Sequence, residues 1–269
     1  MSNALDGRIA VVTGASSGIG LALAERLVAD GARVVINARR RDRLEALASR
    51  LNREARAEAE RERCVAEAGD CAEPGVVRAV LARARSAFGA EADLVVVNAG
   101  RGLKGSVLDS DPAQWEEMIK TNLVGAAWLM REAAKAMVSA IEADAKAGRP
   151  WTERPRDIVV IGSVVGRNVS PFSSMYGSTK FGVHALAEGL RREVGPKGVR
   201  VSLVAPGFVV SEFQGVAGYD PAWFKGVLEK LGPALEPGDV ARTVSFLAGQ
   251  PAHVHVGDVI LRPTRQEYP

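Results

Sequence analysis

Three side chains in the second half of the chain have the types and spacing for proton transfer: Ser163, Tyr176 and Lys180. Tyr176 and Lys180 stand four apart in a stretch of helical period, so they share one helix face. A free phenol ionises near pH 10 and is a poor proton carrier at neutral pH. A neighbouring ammonium favours the phenolate, and bringing its ionisation to neutral pH takes about 4 kcal/mol of differential stabilisation. Such a tyrosine exchanges a proton with a substrate hydroxyl while hydride moves to or from a cofactor. Ser163, at the end of the apolar run Ile158-Val159-Val160-Ile161, is placed to hold the substrate oxygen.

A site for the hydride carrier is written near the start of the chain. Thr13-Gly14-Ala15-Ser16-Ser17-Gly18-Ile19-Gly20 follows the apolar run Ile9 to Val12 and precedes a helical stripe of Leu21, Leu23, Ala24, Leu27 and Val28. The pattern is strand, tight turn, helix. Gly14 can take the positive φ of a sharp turn, Gly18 bares the backbone to a ligand, and Gly20 lets the helix pack close. The free N–H groups of the first helical turn, at the positive end of the helix dipole, suit a phosphate. The spacing G-x-x-x-G-x-G departs from the common dinucleotide fingerprint. Gly14-Ala15-Ser16-Ser17-Gly18 also fits the nucleophile elbow of serine hydrolases. That rival needs an acid and then a histidine on strand-end loops, whereas His184 lies mid-helix and His253 and His255 precede an edge strand. His253-x-His255 has no carboxylate or cysteine cluster beside it, so no metal site is expected.

The elements that must position these groups alternate from end to end. Strands are predicted at 9–12, 33–37, 64–68, 93–97, 158–161, 199–204 and 259–261, with helices between them. Those helices begin near Leu21, Arg41, Pro74, Asp111, Gly125, Ser174 and Pro237, and the charged stretch Arg53 to Arg63 is expected to be solvated helix. This is an α/β fold: a doubly wound parallel sheet of about seven strands with helices on both faces, in a single domain over residues 1–269. Ligands in such sheets bind beyond the carboxyl ends of the strands. That rule selects the glycine turn, Ala38-Arg39, Asp70, Asn98 to Gly100, Ser163 and Pro206-Gly207. Lys146 to Arg156 is read as a surface loop away from the site. Phe208 to Pro237, mixing glycine, proline and aromatics, is read as a mobile lid.

Composition bounds the function. The 269 residues are 47% hydrophobic and 25% charged, with a net charge of +3. No lysine block is interleaved with aromatics, so nucleic acid is not an expected partner. No run reaches membrane-spanning length, and Met1 to Asp6 carries no signal-peptide pattern. Cys64 and Cys71 do not form a C-x-x-C pair and are expected as free thiols in a cytoplasmic protein.

Taken in order, Thr13 to Gly20, Asn98-Ala99-Gly100, Asn122, Ser163, Tyr176-Gly177-Ser178-Thr179-Lys180 and Pro206-Gly207 resemble the short-chain dehydrogenase/reductase family over almost the full chain. The resemblance implies a Rossmann fold and an oxidoreductase. It implies Tyr176 as catalytic acid/base, Lys180 as its partner and a ribose ligand, and Ser163 as holder of the substrate oxygen. Asn122 would anchor a water linking Lys180 to solvent. Asp70 would contact the adenine, and Asn98, with Ala99 and Gly100, would hold the cofactor beneath the nicotinamide. Gly14, Ser16, Ser17, Gly18, Ile19 and Gly20 would take the diphosphate side. Pro206, Gly207, Val209 and Ser211 would close over the carboxamide side, Ser211 keeping a hydroxyl where threonine is common. A homotetramer or dimer through the helices from Gly125 and Ser174 is also implied.

Cofactor choice follows from the end of the second strand. An NAD enzyme places an acid there for the ribose 2′-hydroxyl. This chain has Asn37-Ala38-Arg39-Arg40, and Arg39 can grip a 2′-phosphate through two parallel hydrogen bonds. NADP(H) is therefore expected over NAD(H). The partner is a small-molecule carbonyl or alcohol, its pocket expected among Arg101 to Lys104, Val164-Val165, Phe172, Met175 and Phe208 to Trp223, with Arg101 and Lys104 at the edge. Its identity stays open. The tail from Leu261 to Gln266 resembles relatives acting on 3-hydroxy acids and serine, while 3-oxoacyl thioesters and a scaffold without catalysis remain alternatives.

Overall fold

The computed structural model describes residues 4–55 and 62–268. The chain runs β1 (Ile9–Thr13), α1 (Gly18–Ala29), β2 (Arg33–Ala38), α2 (Arg41–Ala55), β3 (Cys64–Ala68), α3 (Pro74–Phe88) and β4 (Leu94–Val97). It continues through α4 (Trp115–Ile119), α5 (Ala126–Lys146), β5 (Asp157–Ile161), α6 (Ser174–Val194), β6 (Arg200–Pro206), α7 (Phe213–Ala217), α8 (Pro221–Leu231), α9 (Pro237–Ala248) and β7 (Asp258–Leu261). Residues 1–3, and 56–61 of the helix expected over Arg53 to Arg63, lie outside the described residues.

The seven strands form one all-parallel sheet in the order β3-β2-β1-β4-β5-β6-β7. This is the doubly wound Rossmann arrangement the alternating pattern predicts. The inner strands are near-continuous apolar runs because both faces are covered. Along β1 the side chains alternate: Ala10 and Val12 pack into the layer under α1, α2 and α9, and Ile9 and Val11 into the layer under α3, α5 and α6. β7 at the rim alternates exposed and half-buried residues.

Strand order reverses between β1 and β4, and a crevice opens there. Thr13 clamps the two strands: its Oγ1 accepts from the Asn98 and Ala99 N–H groups, both at 3.1 Å. Asn98 Nδ2 donates back to Thr13 O at 2.8 Å.

One expectation about the segments around the site needs correction. The helices expected to begin separately near Asp111 and Gly125 run together. Helical structure runs on from α4 through a π turn over Lys120–Gly125 into α5. One wider turn of this kind shifts the side-chain register, and such turns recur at functional sites. Here it turns Asn122 into the interior at 2% exposure. The segment from Phe208 to Pro237 contains α7 and α8, the latter capped by Asp220, which accepts from Trp223 N–H at 2.7 Å. No helix among the described residues is long and apolar enough to cross a membrane.

Candidate active site

The first turn of α1 is left open to the crevice by its sequence. Gly14 has φ +69° and Gly18 φ +53°, a region L side chains rarely adopt. A Cβ on Gly20 would stand 2.3 Å from Gly14 O, so bare backbone is required for the turn to close on itself. Ser17 at the N-cap makes no side-chain cap, and the first N–H groups of a helix have no partner within it. Ser211, across the crevice, has its Cβ 3.4 Å from where a Gly18 Cβ would be.

Arg39 and Arg40 both line the cleft but take different partners. Arg39 turns outward to Glu117 at 3.3 Å. Arg40 lies across the turn instead, donating from Nε and Nη2 to Ser16 Oγ at 3.0 and 2.9 Å and from Nη2 to Ser17 Oγ at 2.9 Å. Glu212, at the N-cap of α7, pairs with both Arg40 and Arg43 at 3.1 and 2.9 Å. Asn37, fully buried at the end of β2, donates to the carbonyls of Glu67 and Gly69, and its side-chain oxygen has no partner. Asp70 Oδ1 accepts from Ala72 N–H at 2.9 Å, holding the turn before α3.

α6 carries Tyr176, Thr179 and Lys180 into the same crevice, all of them buried. Lys180 Nζ donates to Ile161 O at 3.0 Å and lies 5.8 Å from the centre of the Tyr176 ring. Ser163 is close enough to the phenol to favour its ionised form, and Phe213 of α7 packs on the ring at 5.6 Å. Asn122 joins the group from the π turn. Its Oδ1 accepts from Arg101 N–H at 2.8 Å, and its Nδ2 donates to Arg101 O at 2.8 Å and to Thr179 Oγ1 at 3.1 Å. A Cβ on Gly100 would lie 3.2 Å from that Oδ1 and 3.8 Å from Lys180 Nζ, so the bare residue keeps the two close.

Burial dominates the electrostatics. It pushes the Tyr176 phenol up; the charge of Tyr219 adds to this, and the Ser163 hydrogen bond pulls the other way. Burial also pushes Lys180 down to about 8. With the protein's own groups, then, the phenol is less acidic than a free tyrosine, the reverse of the direction expected from the lysine alone. The ammonium, bonded to a carbonyl and set beside the ring, does not offset desolvation.

One cleft of about 920 Å³ takes in every residue expected to touch a cofactor, from Gly14 to Gly20 through Arg39, Asp70 and Asn98 to Gly100, to Val209 and Ser211, together with Ser163, Tyr176 and Lys180. Asn122 is set behind its wall. Of the expected substrate-side residues, Arg101, Val164, Val165, Phe172, Phe208 and Trp223 line it, whereas Lys104 and Met175 do not. Arg101 is tied to Gln114 and Glu117. Sequence reasoning missed Arg40, Cys71 and the tail residue Gln266 as lining residues. Gln266 Oε1 accepts from Phe208 N–H at 2.9 Å and lies 2.2 Å from where a Gly207 Cβ would stand. Gly207 in the Pro-Gly pair was the signal for that close approach.

A family model described as short chain dehydrogenase matches residues 8–220, from just before β1 to the cap of α8. The chain belongs to the short-chain dehydrogenase/reductase family. It is an oxidoreductase, as the alternating sheet and the motif order led us to expect. An uncharacterised oxidoreductase of Staphylococcus saprophyticus is 30% identical over 96% of this chain and 98% of its own length. Among solved structures, the alcohol dehydrogenase of Thermococcus sibiricus complexed with 5-hydroxy-NADP is 27% identical with TM-score 0.79, over 97% of this chain and 99% of that one. A 3-ketoacyl-(acyl-carrier-protein) reductase of Brucella melitensis complexed with NADH is 25% identical with TM-score 0.82, again over 97% and 99%. A nicotinamide cofactor is thus common to the oxidoreductase's neighbours, in both its phosphorylated and its plain form.

Proposed function

We propose that this oxidoreductase interconverts a carbonyl and a secondary alcohol using NADP(H), with Tyr176 as the acid/base. The observation that carries the reading is that Ser163, Tyr176 and Lys180 share one cleft of about 920 Å³ with the glycine turn. The residues fit a dinucleotide: an uncapped helix start faces the cleft, and the lone Asn37 acceptor waits for a donor. A bound nicotinamide dinucleotide supplies or accepts the hydride. Gly14 to Gly20 and the α1 N–H groups hold its diphosphate, Asp70 its adenine end, and Asn98 to Gly100 with Pro206, Gly207, Val209 and Ser211 its nicotinamide end. Arg40 and Arg39 favour a 2′-phosphate, and no carboxylate ends β2 to favour a free 2′-hydroxyl.

Ser163 fixes the substrate oxygen beside the phenol, and Tyr176 moves the proton. Lys180, half-ionised near pH 8, supplies the positive charge beside it and reaches the ribose. Asn122 has both Nδ2 hydrogens committed but one Oδ1 lone pair left, enough to anchor a water between Lys180 and solvent.

The test is direct. Purified protein should bind NADPH more tightly than NADH in calorimetry and oxidise it with members of a carbonyl panel that includes 3-oxoacyl thioesters and 3-oxo acids. Tight cofactor binding with no turnover anywhere in the panel would leave a binding scaffold. We also read residues 1–269 as one domain, working in the cytoplasm as a dimer or tetramer through α5 and α6. Exposed Phe181 and Leu186 on α6 support the last point. Light scattering on the eluted protein checks it, a monomer counting against it.

A further inference from the structure

α6 meets the end of β5 through two hydrogen bonds of opposite sense. Lys180 Nζ donates to Ile161 O at 3.0 Å. One turn further along the helix, the backbone N–H of Ser163 donates to His184 Nε2 at 3.3 Å. The imidazole sits in a slot between two glycines. A Cβ on Gly162 would stand 2.2 Å from His184 Nε2, and one on Gly166 would stand 2.4 Å from Cε1. Neither glycine has positive φ. Backbone conformation therefore does not call for glycine at either position, and the ring does.

The slot controls Ser163. The Ser163 carbonyl accepts from Gly166 N–H at 2.9 Å and its Oγ from Val165 N–H at 3.4 Å, both local bonds within its own turn. Its backbone bond to His184, by contrast, comes from the helix that carries Tyr176. We infer that His184 is a positioning residue for the reaction: by accepting the Ser163 N–H it sets where the Ser163 hydroxyl stands relative to the Tyr176 phenol. His184 does not line the cleft and touches neither reacting group. Burial, then the charges of Lys180 and Arg167, with Asp258 opposing, hold its ionisation down to about 4, so the ring is neutral and free to accept. An Nε2 acceptor places the ring proton on Nδ1.

The inference rests on the proposed reaction, and its tests separate the two. Nitrogen NMR of histidine-labelled protein needs no turnover and should report His184 as the Nδ1–H tautomer; an Nε2–H tautomer overturns the assignment. His184→Gln keeps an acceptor at similar reach, whereas His184→Asn is too short and His184→Leu has none. The Asn and Leu proteins should lose about 10- to 100-fold in kcat, as expected for a reacting group misplaced by a fraction of an ångström to an ångström. Their NADPH dissociation constants should stay within about twofold, because no cofactor contact is removed. His184→Gln should recover most of kcat. Equal losses in the Gln and Asn proteins would mean the ring only fills space, and undiminished kcat in His184→Asn would refute the inference outright. Should His184→Leu fail to fold, the Gln–Asn pair decides. Wild-type protein inactive toward every carbonyl would instead remove the proposed reaction itself.

Discussion

The two ends of the same sheet are built on opposite plans. At the amino ends of the strands, buried charges are closed into a network. Arg8 pairs with Asp93 and Asp157, both at 2.7 Å, and Arg200 grips Asp157 at 2.7 and 2.9 Å. The spare donors of the two arginines go to the carbonyls of Ala248, Gln250, Pro251 and Val254. At the carboxyl ends, Lys180 is also buried but meets a carbonyl rather than a carboxylate. Asn37 keeps an acceptor without a partner there, and glycines stand where side chains would fill the crevice. Charge that is fully paired fixes strand register and takes no part in chemistry. A cation that lacks a carboxylate remains able to act on what enters the cleft. The difference teaches which end is framework and which is reagent.

Removing one oxygen from the reagent end is the severest way to break this contrast. Tyr176→Phe should lower kcat by about 10²- to 10⁴-fold, the usual worth of a positioned acid/base. Its unfolding free energy should be unchanged or slightly higher, since a buried hydroxyl is removed. Steady-state kinetics beside urea unfolding checks both halves, and turnover at the wild-type rate would end the catalytic assignment. Asp157→Asn is the mirror experiment at the framework end. It leaves Arg200 without a carboxylate and Arg8 with only Asp93, and breaking a buried pair in this way costs about 3–5 kcal/mol of stability. Per folded molecule, kcat/KM should hold. A loss of activity without a loss of stability would show the two ends to be coupled.

These plans were unequally legible in the sequence. The glycine turn, Tyr176 and Lys180 lie within short local patterns, and α3 and α9 begin where the sequence predicts because a proline stands in the first turn of each. The framework network escaped notice because its members are single charged residues spread from Arg8 to Arg200, each at the start of a strand or just before it. Lys146 to Arg156 has the composition of a surface loop, yet Arg154 and Arg156 reach inward to Asp93 and Asp144. The π turn at Asn122 was hidden because one extra residue in a turn barely disturbs helical periodicity. The different partners of Arg39 and Arg40 could not be read from the sequence for another reason: which way adjacent arginines rotate is decided by Ser16, Ser17 and Glu117, none of them next to the pair in sequence.

That last pair sharpens the contrast within the carboxyl end. Arg40→Ala should weaken NADPH binding by about 10- to 100-fold, the loss of charge-assisted hydrogen bonds worth about 1.5–3 kcal/mol. NADH binding should change by less than about threefold, since a 2′-hydroxyl carries no charge to lose. Arg39→Ala, removing an exposed arginine that pairs outward, should have the smaller effect. Calorimetric titrations with both cofactors decide it, and equal losses for NADPH and NADH would mean Arg40 only shapes the turn.

The smallest effect is a slope, and it comes from the unmatched lysine. Lys180 ionises near 8 in the folded protein and near 10.5 when free. Between those values the unfolded chain holds a proton that the folded chain has released, so this residue makes stability rise with pH, by at most about 1.4 kcal/mol per pH unit. Below about 8 both states are protonated and its contribution is flat. The buried thiols oppose it. Cys71 is pushed up to about 11 and Cys64 to about 12, chiefly by burial, from 9.0. The unfolded chain therefore loses those protons first, and stability falls as pH rises above 9. The raw curve mixes the two signs, so the informative quantity is the wild type minus Lys180→Met across the window. Urea unfolding midpoints should diverge with a positive slope there. Parallel curves would mean that Lys180 keeps its proton in the folded protein, compensated after all as the framework charges are.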